Sequence, residues 1–234
     1  MSDRRQPGAR RQPSQGRMGW WPLVAIAGLA VLVVGGLVWV SQAEPGPSGV
    51  AVPSTGNVKG DPSAPVVVEE WGDFQCPACR QYALGPGRQL DETFVAEGTV
   101  RVVWRHMAFL GPESLWAAEA SECAAEQGQF WAYHDKLFAE QSGENRGTFS
   151  KENLKRFASE LGLDRQRFDA CLDGGRYTRK VQAEIEAGER KGVRATPTMF
   201  VNGRKIEGLV PFDQLRRVVE QALEEAGAAK GSGG

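Results

Sequence analysis

The chain of 234 residues is long enough for one globular domain, and its 41% hydrophobic content excludes a protein that is disordered throughout. The formal net charge of −1 hides an asymmetry, because residues 1–19 carry five arginines and one aspartate. The remainder is therefore acidic overall, which argues against nucleic acid as a partner.

An uncharged segment, WWPLVAIAGLAVLVVGGLVWV, occupies residues 20–40. As a helix it would be about 31 Å long, which matches the roughly 30 Å hydrocarbon core of a bilayer. Because the arginines of residues 1–19 precede it, the positive-inside rule predicts a cytoplasmic N-terminus, a transmembrane anchor and an extracytoplasmic domain in the cell membrane. Cleavage near Ala43, which would release a secreted domain, is the alternative.

The residues after the anchor change from a flexible composition to a folded one. Residues 41–65 hold five prolines and four glycines and predict a linker. In residues 66–110, buried strands are predicted at Val66–Trp71 (VVVEEW) and Thr99–Trp104 (TVRVVW). Between them lies a helix that LGPG, residues 84–87, is expected to kink or break.

The second half is predicted to be helical until close to its end. Residues 111–175 show only helical periodicity and are interpreted as a helical insertion. In residues 176–226, a hairpin is predicted to turn at Asn202-Gly203, and Phe212–Glu225 is predicted as a closing helix. Residues 227–234 have the composition of a disordered tail.

This element order predicts the fold class. Strand, helix, strand, helical block, hairpin and helix form a small α/β unit once the helical block is set aside. We therefore expect an α/β thioredoxin-like fold with an inserted helical domain, preceded by one transmembrane helix.

The motif DFQCPACRQY places Cys76 and Cys79 at the start of the first predicted helix. The first thiol would face unpaired backbone N–H groups and the positive end of the helix dipole, which favour its thiolate. The second, one turn later, would be close enough to attack a mixed disulfide formed on the first. The motif predicts a redox-active pair with Cys76 as nucleophile and Cys79 as resolving thiol.

Two other uses of the pair are weaker. A zinc site would need two further ligands at regular spacing, and the candidates are scattered along the chain: Cys123, Cys171, His106 and His134. We interpret His106 as a loop histidine and His134 as a core residue, and we predict no metal. An inert disulfide between Cys76 and Cys79 would close only a four-residue ring and stabilise little.

Four segments together resemble the DsbA-like thiol:disulfide oxidoreductases, in particular the type with a single membrane anchor. They are DPSAPVVVEEWGDFQCPACRQY, ESLWAAEASECAAEQGQFWAYHDKLF, LDRQRFDACLDGG and GVRATPTMFVNG. The resemblance implies that Pro197 is the cis-proline beside the active-site disulfide, and that the backbone of Thr196 binds the substrate chain. It also implies a structural disulfide between Cys123 and Cys171, for which two buried thiols are the alternative.

The resemblance further assigns Glu70 to a buried acidic position beneath the active site, with Glu69 as the fallback. A buried carboxylate with a raised pKa could accept the proton of Cys79. Phe74, Pro77 and Ala78 would flank the pair. The Pro77-Ala78 dipeptide offers no histidine to stabilise the thiolate, and threonine before the cis-proline also occurs in reducing members, so the direction of electron flow stays open.

The predicted function is the introduction of disulfides into exported proteins by exchange at Cys76 and Cys79. Its implied partners are client proteins with free thiols and a membrane quinone-linked reoxidase of the DsbB type or the vitamin K epoxide reductase type. No bound cofactor is implied. The alternatives are a reductase or isomerase of the same fold, or an anchored binding or chaperone protein without catalysis.

Overall fold

The computed structural model describes residues 53–231. The predicted basic N-terminus, the membrane anchor at 20–40, the alternative cleavage site near Ala43 and residues 41–52 of the linker therefore lie outside the described residues. Within residues 53–231, no helix combines the length and apolar character needed to cross a bilayer.

The described residues contain one sheet whose strand order is β1-β2-β4-β3-β5-β6. Its strands are β1 Ser54–Thr55, β2 Val58–Lys59, β3 Val66–Gly72, β4 Val100–His106, β5 Thr198–Val201 and β6 Arg204–Glu207. The central strand β3 pairs in parallel with β4 and antiparallel with β5. The two strands predicted in the first half and the hairpin predicted near the C-terminus are confirmed, with boundaries shifted by one or two residues.

The hairpin β5–β6 turns where predicted, because Asn202 and Gly203 both adopt positive φ angles, 45° and 89°, as a two-residue hairpin turn requires. The linker prediction, in contrast, was partly wrong. Residues 54–59 form the hairpin β1–β2, which pairs with β4. Strands of two residues contain too little alternation to be detected among prolines and glycines.

Helices pack against both faces of the sheet. They are α1 Pro77–Leu84, α2 Pro86–Leu90, α3 Pro112–Ala125, α4 Phe130–Glu140, α5 Lys151–Glu160, α6 Arg165–Asp173, α7 Thr178–Arg190 and α8 Phe212–Gly231, with a π-helical turn at Asp91–Val95. The predicted break between α1 and α2 occurs at Gly85, because Pro86 disfavours a helical conformation in the preceding residue. The closing helix continues beyond its predicted end at Glu225.

The sheet separates two parts of the core. On one face, Val68, Val102 and Met199 pack with Tyr82 of α1 and Leu215 of α8. On the other face, Trp71 and Phe200 pack against α7, which approaches closely at Gly188. A Cβ at Gly188 would lie 2.8 Å from Met107 Sδ and from the Trp71 ring.

The helices α3 to α6 share a third core that continues to the cysteine motif. Cys123 of α3 and Cys171 of α6 are joined by a disulfide, and each is 1% exposed. The same cluster of buried residues includes Cys76 and Cys79. The helical insertion therefore packs directly against the residues in which the sequence predicts the chemistry.

Candidate active site

Cys76 and Cys79 lie where the chain leaves the central strand and enters α1. After β3 ends at Gly72, the backbone turns and Cys76 takes the N-cap position with extended angles, φ −70° and ψ 120°. Pro77 follows at the first helical position, where its missing N–H costs nothing. Both thiols are free, and Cys76 is 8% exposed whereas Cys79 is completely buried. Of the two cysteines, Cys76 is thus the more exposed.

The two thiols have opposite electrostatic environments. A hydrogen bond from the Cys79 thiol, with further ones from the backbone N–H groups of Cys79 and Ala78, lowers the pKa of Cys76 from 9.0 to about 6. Burial, together with the hydrogen bond to Cys76 and the charge of Cys76, raises the pKa of Cys79 well above its ordinary value. At neutral pH the reduced pair therefore holds one thiolate, on Cys76, and one thiol, on Cys79.

The loop before β5 approaches the same sulfur. The carbonyl oxygen of Thr196 lies 3.3 Å from Cys76 Sγ, and the Thr196–Pro197 peptide bond is cis. This contact is possible because β5 pairs with β3, the strand that leads into the cysteine turn. Thr196 and Pro197 are thus placed beside Cys76, although 120 residues separate Thr196 from it in the sequence.

Glu70 lies on β3 and is 3% exposed. Burial raises its pKa from 4.5 to about 8, with Lys59 acting in the opposite direction, and its Oε1 atom has no hydrogen-bond partner in the protein. Glu69, the fallback, points to the other face of the sheet and forms an ion pair with Lys191 at 2.7 Å. Of the two glutamates, Glu70 has the environment of a carboxyl group that keeps its proton at neutral pH.

Several polar groups from other elements surround Glu70, and the sequence did not indicate them. Lys59 of β2 forms an ion pair with Asp91 at 2.5 Å and lies 4.1 Å from the centre of the Trp131 ring. Tyr82 of α1 is buried without a partner for its hydroxyl group, and the charge of Glu70 contributes to its raised pKa after burial itself. The lysine that faces Glu70 is therefore supplied by the hairpin that was mistaken for linker.

We expect Glu70→Gln to stabilise the folded protein at alkaline pH. The folded state keeps the Glu70 proton until about pH 8, whereas the unfolded chain releases it near pH 4.5. The contribution of this proton to the free energy of unfolding is therefore fully present below about pH 4.5 and is lost as the pH rises through about 8. At pH 7 the free energy of unfolding is already lower by an amount on the order of 3 kcal/mol. Glutamine keeps the shape and cannot ionise, so the variant should unfold at higher urea concentration than wild type at pH 8 and at a similar concentration at pH 4.5.

The matched control for this measurement is Glu69→Gln, the same substitution on the adjacent, ion-paired residue. It should leave the pH dependence of the unfolding free energy close to that of wild type. If Glu70→Gln and wild type showed parallel stability curves between pH 4.5 and 8, Glu70 would not be a buried carboxyl group with a raised pKa.

Asp73, in the turn before Cys76, is a site residue that sequence reasoning missed. Its buried carboxylate accepts hydrogen bonds from the backbone N–H groups of Gln75, Phe109 and Leu110 and from the hydroxyl group of Ser114. Burial raises the pKa of Asp73, and these hydrogen bonds act against the rise. The available signal was the placement of two polar residues, Asp73 and Gln75, in an otherwise apolar turn that joins a buried strand to a helix.

The remaining predicted residues lie as follows. Phe74, expected to flank the active site, is 1% exposed and stacks on Trp104 with 4.8 Å between ring centroids. Its side chain is therefore part of the core, whereas Pro77 and Ala78 are less buried and follow Cys76 directly. The prediction of a buried His134 is confirmed, since this residue packs against the Trp104 and Phe138 rings.

The interpretation of His106 as a loop residue was wrong. His106 is the last residue of β4 and is 1% exposed. Its Nδ1 accepts a hydrogen bond from the indole N–H of Trp104, and its Nε2 donates one to Glu122. Both donor–acceptor distances are 3.0 Å. Strand β4 continues beyond the predicted end at Trp104 because Arg105 and His106 still pair with Trp71 and Gly72 of β3. In the described part of the chain, no cluster of three or more His, Cys, Asp or Glu residues is arranged to hold a metal ion.

Comparison with known proteins places this fold and site in a family. A family model described as Thioredoxin matches residues 53–221. The Na(+)/H(+) antiporter NhaA 3 of Salinispora tropica is 37% identical over 176 residues, which cover 74% of this chain and 26% of the antiporter. The chain thus spans about a quarter of the length of the antiporter relatives that it matches.

Two further matches extend over most of both proteins. Disulfide bond formation protein D of Bacillus subtilis is 27% identical over 182 residues, which cover 74% of this chain and 82% of that protein. The crystal structure of oxidised BdbD from Bacillus subtilis superposes with a TM-score of 0.68 at 26% identity, and covers 75% of this chain and 98% of that one. Because the family model includes the strand, turn and helix that carry Cys76 and Cys79, the chain belongs to the thioredoxin family, and within it the chain is similar to disulfide bond formation protein D and BdbD of Bacillus subtilis.

Proposed function

We propose that this protein introduces disulfide bonds into exported proteins by thiol-disulfide exchange at Cys76 and Cys79. The observation that carries the proposal is the asymmetry of the pair: Cys76, the more exposed cysteine, has a pKa of about 6 and lies next to the completely buried Cys79, whose pKa is raised. The similarity to disulfide bond formation protein D of Bacillus subtilis supports the same direction of reaction.

The reaction begins with the oxidised Cys76–Cys79 pair. A client thiolate attacks Cys76 Sγ, which forms a mixed disulfide and breaks the Cys76–Cys79 bond, and Cys79 takes up a proton. A second client thiolate then attacks the client sulfur of the mixed disulfide, and Cys76 leaves as the thiolate. The client loses two electrons and gains a disulfide, while the active-site pair gains both electrons.

The low pKa of Cys76 favours this direction because it stabilises the reduced protein. Relative to an ordinary thiol with a pKa of 9.0, a pKa of about 6 stabilises the reduced form by about 1.4 kcal/mol at pH 7. For a two-electron couple this corresponds to a potential about 30 mV more oxidising. This stabilisation is lost as the pH falls through about 6, so the preference for oxidising clients should weaken in acid.

We assign supporting roles to three further residues. Glu70, which keeps its proton at neutral pH, exchanges protons with Cys79 as the Cys76–Cys79 bond breaks and forms. The backbone of Thr196, held beside Cys76 next to Pro197, binds the client segment that carries the attacked or attacking cysteine. The Cys123–Cys171 disulfide keeps the helical insertion packed against the active site.

We also propose the setting in which the reaction takes place. Residues 20–40 would anchor the protein in the cell membrane, with residues 1–19 in the cytoplasm and the thioredoxin-like domain outside it. The reduced pair would pass its electrons to a membrane quinone-linked reoxidase of the DsbB type or the vitamin K epoxide reductase type. The domain boundaries proposed from the sequence, with the insertion at 111–175 between the halves at 66–110 and 176–226, fit this arrangement.

The test is Cys79→Ala in the full-length protein. Without the resolving thiol, Cys76 should stay bound to its partners in mixed disulfides, which non-reducing electrophoresis separates and mass spectrometry identifies. We expect exported proteins with paired cysteines and a quinone-linked membrane protein. Cys76→Ser/Cys79→Ala is the control and should trap nothing. If the chief trapped partner were a transmembrane protein that donates electrons, the protein would be a reductase instead.

A further inference from the structure

The turn of residues 73–76, which carries Cys76, accepts hydrogen bonds from the helical insertion. Residues 73–76 belong to neither β3 nor α1, so most of their backbone groups have no partner in a regular element. The carbonyl of Cys76 is different, because it already accepts a hydrogen bond from the N–H of Arg80 in α1. Within the turn, the N–H of Cys76 donates to the carbonyl of Asp73, and the N–H of Gln75 donates to the Asp73 carboxylate. The carbonyl groups of Phe74 and Cys76 point the other way, toward the end of α4.

Gln141, the residue that follows α4, binds both of these carbonyl groups. Its Nε2 atom lies 2.6 Å from the oxygen of Phe74 and 3.1 Å from the oxygen of Cys76. A side-chain amide has two N–H donors, so one glutamine can serve both acceptors at once. This contact joins residues 65 to 67 positions apart and spans the active-site turn.

The loop that begins at Gln141 is also hydrogen-bonded to the turn at a second point. The backbone N–H of Asn145 donates to Gln75 Oε1 at 2.6 Å, and the Asn145 side chain donates to the carbonyl of Leu110 at 2.6 Å. Gln75 also donates to Ser114 Oγ at 2.9 Å, and Ser114 donates to Asp73 at 2.6 Å. Gln141 therefore donates from a segment that is itself tied to the turn, which limits the freedom of both partners.

These contacts bear on the chemistry of Cys76 through two effects. The oxygens of Phe74 and Cys76 carry partial negative charge in the segment that carries the thiolate, and donation from Gln141 offsets it. The turn also positions Cys76 at the N-cap of α1, where the Cys79 thiol and the N–H groups of Cys79 and Ala78 donate to its sulfur. Hydrogen bonds weaken steeply as their angles depart from linearity, so a looser turn would stabilise the thiolate less.

We propose that Gln141 is a positioning residue of the redox site: from the helical insertion, it fixes the turn before α1 and so favours the reduced, thiolate form of the Cys76–Cys79 pair. This inference rests on the proposed function and extends it, because it gives the insertion a part in setting the redox balance of the thioredoxin-like core.

The test compares Gln141→Ala with wild type and with Gln166→Ala, the same substitution at an exposed position of α6. The reduction potential is measured by equilibration with glutathione, and the thiolate is titrated by its ultraviolet absorbance. Loss of the Gln141 hydrogen bonds should shift the equilibrium with glutathione by about three- to tenfold toward the disulfide. This is a potential more negative by about 15 to 30 mV, with a matching rise in the pKa of Cys76.

Gln141→Met is the second variant, because methionine keeps the length of the side chain but cannot donate a hydrogen bond. It should shift the reduction potential by the same amount, and it keeps the test available if Gln141→Ala fails to fold. If Gln141 had only a structural role, its loss would destabilise both redox forms equally. The Gln141 variants would then have lower melting temperatures, but the same reduction potential and the same Cys76 pKa as Gln166→Ala, and this result would overturn the inference. A wild-type protein that forms no reversible disulfide with glutathione would instead refute the proposed function.

Discussion

Replacing Cys76 with serine should reduce the rate of disulfide transfer to a reduced client protein by at least about a thousandfold, because serine cannot form the disulfide with Cys79 that the client thiolate attacks. Cys76 is the more exposed member of the pair and carries the lowered pKa, so no other described sulfur can take its place. The measurement is the recovery of activity of a reduced, disulfide-dependent enzyme incubated with stoichiometric oxidised protein.

The control for this prediction is the Cys123→Ala/Cys171→Ala double variant, assayed at a temperature at which it is folded. It loses the other disulfide and keeps the Cys76–Cys79 pair, so it should still transfer a disulfide to the client. If Cys76→Ser instead assisted the client as well as wild type, the cysteine pair would be incidental, and the protein would act as a binding or chaperone protein.

Local patterns were sufficient to predict the elements that carry the cysteines. The run VVVEEW forms a strand that pairs with a neighbour on each side, with Val66, Val68, Glu70 and Trp71 buried and Val67 and Glu69 half-buried. Pro77 favours an early helical position, and Pro86 disfavours continuation of the preceding helix. In these cases the information lies within a few residues of the feature, so the sequence alone was enough.

The polar partners of the site could not be predicted because they depend on contacts between distant segments. Lys59 faces Glu70 only because a hairpin of two-residue strands pairs with β4. Gln141 binds the cysteine turn only because α4 ends beside it. Neither residue belongs to a motif, and each would be read as an ordinary surface residue in a single sequence. Their positions follow from packing, which periodicity does not encode.

Removing the Cys123–Cys171 disulfide of the helical insertion should lower the free energy of unfolding more than any other change proposed above. Cys123 and Cys171 are 48 residues apart, and closing a loop of that length lowers the entropy of the unfolded chain by an amount equivalent to about 4 kcal/mol. Their connection also joins α3 to α6 within the core that packs against the active site. We therefore expect Cys123→Ala/Cys171→Ala to lower the free energy of unfolding by about 2 to 4 kcal/mol, measured by denaturation in guanidinium chloride.

The two single variants show whether this loss comes from the bond or from the buried side chains. If the disulfide is responsible, Cys123→Ala and Cys171→Ala each break the same bond, so each alone should cost nearly as much as the double variant. Two independent buried thiols would instead give single losses that add up to the double loss. Additive losses would also remove the basis for assigning this bond a role in holding the insertion against Cys76.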